Sequence, residues 1–150
     1  MAGKIITISR EFGSGGGTIA RAVAQRLGCK IYDEALTERI AAESGYSKEF
    51  VEMRGEDAST TSSFLFNLAR SGSGGFDGSP GISDKLYLVT HNVIRKIADE
   101  GPCVIVGRCS DYILRDREDA LHVFIHAEKE FKAERIVRLY GEKEVSPEKR

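Results

Sequence analysis

The residues of this chain best suited to chemistry form one run, Ser9-Arg10-Glu11-Phe12-Gly13-Ser14-Gly15-Gly16-Gly17-Thr18. Glycines let a main chain curl around an anion and present consecutive N–H groups to it. Before the run stands the apolar, β-branched stretch Ile5, Ile6, Thr7 and Ile8; after it, Ile19, Ala20, Val23, Ala24 and Leu27 recur at helical spacing. A buried strand, a glycine loop and a helix in that order aim the helix's free amides and positive dipole end at a phosphate. Thr18, at the helix start, is placed to offer its hydroxyl to Mg²⁺. A Walker A loop ends in Gly-Lys-Ser/Thr, and here Gly16 stands in the lysine's place.

Three other constellations bear on the same chemistry. Arg108 follows the apolar run Cys103–Gly107, at the carboxyl end of an expected parallel strand, where α/β sheets bind ligands. It suits bidentate capture of a phosphate, and an ion pair with Asp111 or Asp116 is the plainer use. Asp33 and Glu34 end a short strand, Cys29 to Tyr32. One of them could take hydrogen bonds from a sugar or act as a base toward a phosphoryl acceptor, or Asp33 simply caps the next helix. Arg135 and Arg138, three apart, share a helix face, either solvated beside Glu128, Glu130 and Glu134 or closing as a lid over a phosphoryl donor. His122 and His126 are four apart on one expected strand and so share its face, with no third metal ligand near in sequence. A dinucleotide site competes for the glycine loop: Gly13 and Gly15 match two glycines of G-x-G-x-x-G, and Asp33 or Glu34 is the acid about 20 residues on. Its third glycine falls on Thr18, which ranks that reading second.

The elements that must position these residues alternate. After the first helix, stopped by Gly28, comes the short strand, then a helix with Leu36, Ile40 and Ala41, broken at Gly45. Ser47 caps a short helix through Phe50, Val51 and Met53, and Ser62 to Arg70 reads as another. Ser71 to Gly81 is a flexible Ser/Gly-rich loop inside the domain. Ser83 or Asp84 caps a long helix with Leu86, Val89, Val93, Ile94 and Ile97 inward, ended by Gly101 and Pro102. The strand Cys103–Gly107, a short helix at Asp111–Leu114, the strand Leu121–Ala127 and a charged helix from Glu128 to Tyr140 follow. Alternating strands and helices mean an α/β fold with a mainly parallel sheet.

A length of 150 residues, 41% of them hydrophobic, suits a single domain over residues 1–150 with a sizeable core. A formal net charge of -1 offers no broad electrostatic grip on nucleic acid. No apolar run approaches a membrane span, and the strand starting close to Met1 leaves no room for a signal peptide, so a cytoplasmic location is the default expectation. The cysteines, Cys29, Cys103 and Cys109, have neither disulfide-framework nor zinc spacing. Oligomeric state is not legible.

Taken together, ITISREFGSGGGTIARAVAQRLG, IYDEALTERIAAESGYSKEFVE, GPCVIVGRCSDYIL and HVFIHAEKEFKAERI closely resemble the cytidylate kinase-like family, bacterial relatives of CMP kinase among the P-loop nucleoside monophosphate kinases. The likeness covers nearly all of the chain outside the Ser/Gly stretch and the polar tail. It implies a P-loop NTPase-type three-layer sandwich that transfers a phosphoryl group from ATP, with Mg²⁺, to a nucleoside monophosphate such as CMP or a related small acceptor. It implies that Gly13, Ser14, Gly15, Gly16, Gly17 and Thr18 hold the donor phosphates and that Thr18 ligates Mg²⁺. Arg108 would hold a transferring or acceptor phosphate, Asp33 would contact the acceptor, and Arg135 and Arg138 would belong to the lid. The chain departs from the family pattern at Gly16, where a lysine is expected, at Cys109, where an aspartate follows the arginine, and in lacking the last strand and helix. Arg10 or Arg21 is expected to supply the missing charge. The alternatives are a degenerate nucleotide-binding domain without catalysis and a dinucleotide-binding oxidoreductase domain.

Overall fold

The computed structural model describes residues 4–57 and 81–141. In chain order these form β1 (Ile5–Arg10), α1 (Gly16–Leu27), β2 (Lys30–Tyr32), α2 (Glu34–Ser44), α3 (Lys48–Asp57), α4 (Ile82–Glu100), β3 (Cys103–Val106), α5 (Ser110–Ile113), β4 (Ala120–Ile125) and α6 (Lys129–Tyr140). The strands make one sheet in the order β2-β3-β1-β4, with every pairing parallel. This is the expected α/β class. The chain divides into two compact units: one takes residues up to Asp33 and from Gly101 onward, the other Glu34–Glu100.

The first unit carries the sheet. Ile8 of β1 and Val104 and Val106 of β3 pack with Ala20 and Ala24 of α1, flanked by Val23, Cys29, Ile31, Val123 and Ile125. Each large aliphatic side chain buried this way stabilises the fold by roughly 1.5–3 kcal/mol. That packing pins the strand whose last residue is Arg10. Helix α1 departs from its expected stripe. Its buried residues are the small ones, Gly16, Ala20 and Ala24, while Ile19 and Leu27 are exposed. Small side chains let the helix lie close to the sheet and push the bulky ones to its rim. Gly28, left-handed at φ 62°, closes α1 with its N–H on the carbonyls of Ala24 and Gln25.

The second unit is helical. Among its described residues Leu36, Ile40, Val51, Leu86, Val93, Ile94, Ile97 and Ala98 are buried. Around them Lys48 pairs with Glu34 at 2.8 Å and Glu38 at 3.3 Å, Lys96 with Glu43 at 3.2 Å, and Arg39 with Glu100. These pairs are solvent-screened, so the apolar contacts hold the unit. Ser47 caps α3 as expected, its Oγ accepting from the Phe50 amide at 3.2 Å.

Two boundaries correct the sequence reading. Helix α4 begins at Ile82, with the Gly81 carbonyl accepting from the Lys85 amide, so Asp84 lies in the first turn rather than at the cap. Strand β4 ends at Ile125, which leaves His126 beyond it. His122 instead meets the buried Thr7 hydroxyl of the neighbouring strand, Nδ1 to Oγ1 at 2.7 Å. The expected helix at Ser62–Arg70 lies outside the described residues, as does all but the end of the Ser71–Gly81 loop. Among the described residues no helix is long and apolar enough to cross a membrane.

Candidate active site

The loop between β1 and α1 turns on two glycines that need the left-handed region, Gly13 at φ 79° and Gly15 at φ 87°. Ser14 closes the turn, its amide and its hydroxyl both donating to the Glu11 carbonyl, at 3.2 and 2.7 Å. Gly15 stands at the N-cap of α1 without a side-chain cap, and its carbonyl accepts the first helical bond from Ile19. The amides of Gly16, Gly17 and Thr18 therefore have no intrahelical acceptor, the condition for binding an anion there.

Side chains from four directions converge on these amides. The aliphatic stem of Arg10 lies against the Gly16 Cα, and its guanidinium reaches Gly107. Arg21 and Asp33 both approach Gly17: a Cβ built there would meet Arg21 Nη1 and Asp33 Oδ2 at 3.9 Å each. Arg135 of α6 covers Gly15 and donates from Nη2 to Thr18 Oγ1 at 3.0 Å. That hydrogen bond spans 117 residues of sequence. It distinguishes Arg135 from Arg138, which stays exposed on the last turn of α6.

Helix α6 is fastened along the whole loop. Glu11 Oε2 accepts from Lys132 Nζ at 2.7 Å and from the Ala127 amide at 3.3 Å. The Lys132 hydrogen bond, then that amide, hold the Glu11 carboxyl below its ordinary range. Phe12 stacks on Tyr140 with ring centroids 5.9 Å apart, and Ile136 fills the space a Gly13 side chain would need. Glu11, Lys132 and Ile136 were missed in the sequence. No local motif marks them, because their partners lie more than a hundred residues away.

A second turn faces this loop from the end of β3. Gly107 donates to the Ile8 carbonyl at 2.9 Å, which ties it to β1. Gly107, Arg108 and Cys109 are all left-handed, at φ 69°, 58° and 55°. For Arg108 and Cys109 that conformation costs of order 1–3 kcal/mol each, a strain that persists only where the surroundings enforce it. Arg108 is half-buried there and Cys109 exposed. What burial the Cys109 thiol has, with the charge of Asp111, pushes its pKa up, so thiolate chemistry is disfavoured.

Gly13 to Thr18, Arg10, Asp33 and Arg135 are thus brought together, and Arg108 stands at the neighbouring strand end. Among the described residues no group of three or more His, Cys, Asp or Glu could hold a metal. A phosphate-borne Mg²⁺ needs only one or two protein oxygens, and the Thr18 hydroxyl is a donor of that kind, so the residues fit it. A cavity in the helical unit, lined by Glu43, Asn92, Arg95, Lys96 and Asp99, contains none of these residues.

A parallel sheet with a glycine loop leading from its first strand into α1 is a fold of the P-loop class. Solved structures agree on the fold. A shikimate kinase from Acinetobacter baumannii, in complex with shikimate, superposes at a TM-score of 0.51 with 15% identity, over 97% of this chain and 70% of its own. TT1252 from Thermus thermophilus superposes at 0.52 with 19% identity, over 99% and 76%. An uncharacterized protein from Eubacterium ventriosum reaches 0.58 at 25% identity, over 97% of this chain. The chain spans 65% of that protein's length. No protein of curated function matches the sequence. The cytidylate kinase-like family model matches residues 5–149, and the chain belongs to that family. Family and fold agree: the chain is a member of a kinase-like family with the fold of its solved neighbours.

Proposed function

We propose that this chain transfers the γ-phosphoryl group of ATP, in the presence of Mg²⁺, to a nucleoside monophosphate such as CMP or to a related small acceptor, in the cytoplasm. The observation that carries this reading is the gathering of Arg10, Arg21 and Arg135 around the open amides of Gly16, Gly17 and Thr18. Such a site works by positioning and electrostatics, with little covalent work for the protein. An acceptor oxygen bonds to the γ-phosphorus, the bond to the β,γ-bridging oxygen breaks, and ADP leaves. Backbone amides and arginines take up the charge that spreads over the phosphoryl oxygens. Arg108 holds the transferring or acceptor phosphate, and Asp33 orients the acceptor. The Thr18 hydroxyl would hold Mg²⁺, whose charge neutralises the donor phosphates. Arg135 must first release that hydroxyl, and then turns its guanidinium to the phosphates.

The test is ADP release from ATP·Mg²⁺ with CMP, dCMP, UMP, AMP and GMP supplied one at a time, against a control without acceptor. Acceptor-dependent ADP is expected with at least one of them. ATP binding with no ADP from any would favour a degenerate binding domain, the reading that Gly16 in the lysine's place supports.

A further inference from the structure

Two glycines, Gly16 and Gly107, are shaped by one side chain. A Cβ at Gly16 would collide with Arg10 Cβ and would lie 2.7 Å from its Cγ. A Cβ at Gly107 would lie 2.5 Å from Arg10 Nη1. The stem of Arg10 therefore crosses the face of Gly16, and the guanidinium lies over the carboxyl end of β3. A lysine at position 16 cannot coexist with Arg10 in this place. Glycine there is what an arginine from β1 requires.

Among the described residues the Arg10 side chain has no hydrogen bond or ion pair, and the residue is exposed. Its guanidinium lies over Gly107. Arg21, the other candidate for the missing charge, comes to Gly17 and not to Gly16, the position where the lysine is expected. We infer that Arg10 is the functional replacement for the loop lysine: it delivers a cation to the donor phosphates from the strand before the loop instead of from the helix after it. The inference rests on the nucleotide reading above. A guanidinium there differs from an ammonium in offering a planar fork that can take two phosphate oxygens at once. It also links the two turns, with its stem on one and its head on the other.

The test is ATP·Mg²⁺ affinity by calorimetry, on the full chain. Arg10→Met keeps a stem against Gly16 and drops the charge. It should weaken ATP binding roughly ten- to a hundredfold, the loss of one charge-assisted contact. Gly16→Lys alone should also weaken it, because two side chains then compete for one space. Arg10→Gly combined with Gly16→Lys vacates that space for the lysine and should recover most of the loss. Thermal unfolding of each variant reports whether it is folded, and Arg10→Met, which disturbs no packing at Gly16, stands even if the double variant does not fold. Wild-type affinity in Arg10→Met would overturn the inference, as would a folded double variant that binds no better than Arg10→Gly. Absence of ATP binding in the wild-type chain would instead overturn the nucleotide reading itself, and this inference with it.

Discussion

The turns after β1 and β3 face each other at the carboxyl ends of neighbouring strands, yet they are built from opposite materials. The first takes its left-handed residues as glycines, Gly13 and Gly15, which adopt that conformation without steric cost. The second forces Arg108 and Cys109 into it. The difference follows from what each turn offers. The first offers bare amides, and any side chain would stand in the anion's way. In the proposed site the second would offer a side chain, Arg108, and the strain would be the cost of presenting it.

Replacing the side chain in the second turn should have the largest effect. Arg108→Ala removes a charge-assisted contact made during transfer, so acceptor-dependent ADP release should fall roughly ten- to two-hundredfold. An unchanged rate would reduce Arg108 to a structural role. A reciprocal pair of substitutions then separates strain from function. Gly15→Ala puts a side chain at φ 87° and against Arg135, and should cost about 1–2 kcal/mol in thermal unfolding, with nucleotide binding impaired. Cys109→Gly relieves the same conformation in the other turn. Once the extra freedom of unfolded glycine is set against that relief, it should stabilise by at most about 1 kcal/mol and leave the rate unchanged. A destabilised Cys109→Gly would mean that the second turn is not strained.

The first turn was far more legible in the sequence than the second. Its glycines, the apolar strand before it and the helical spacing after it are local signals, and the structure keeps the loop, the strand and the helix, though not the helix's full apolar stripe. The end of α1 at Gly28 and the buried strand Cys103–Val106 were legible for the same reason. In the second turn only Gly107 marks a bend; nothing in Arg108 or Cys109 announces positive φ, because tertiary context imposes it. The absent lysine was visible at once, but its cause was not. Only the structure puts Arg10 across Gly16, and only there does Arg135, alone of the two α6 arginines expected at a lid, come to Thr18. The apolar stripe of α1 misled for a related reason: periodicity locates a face, but close packing on the sheet selects alanine over isoleucine and leucine within it.

The most direct measurement follows the backbone amide signals of this 16.5 kDa chain by NMR while ATP·Mg²⁺ is titrated in, with NAD⁺ in a parallel sample. The amides of Gly16, Gly17 and Thr18 should shift saturably with ATP·Mg²⁺, together with Gly107 through the Arg10 bridge, and NAD⁺ should leave them in place. Saturable shifts elsewhere with these amides unmoved, or tighter binding of NAD⁺, would contradict a phosphate site on this loop.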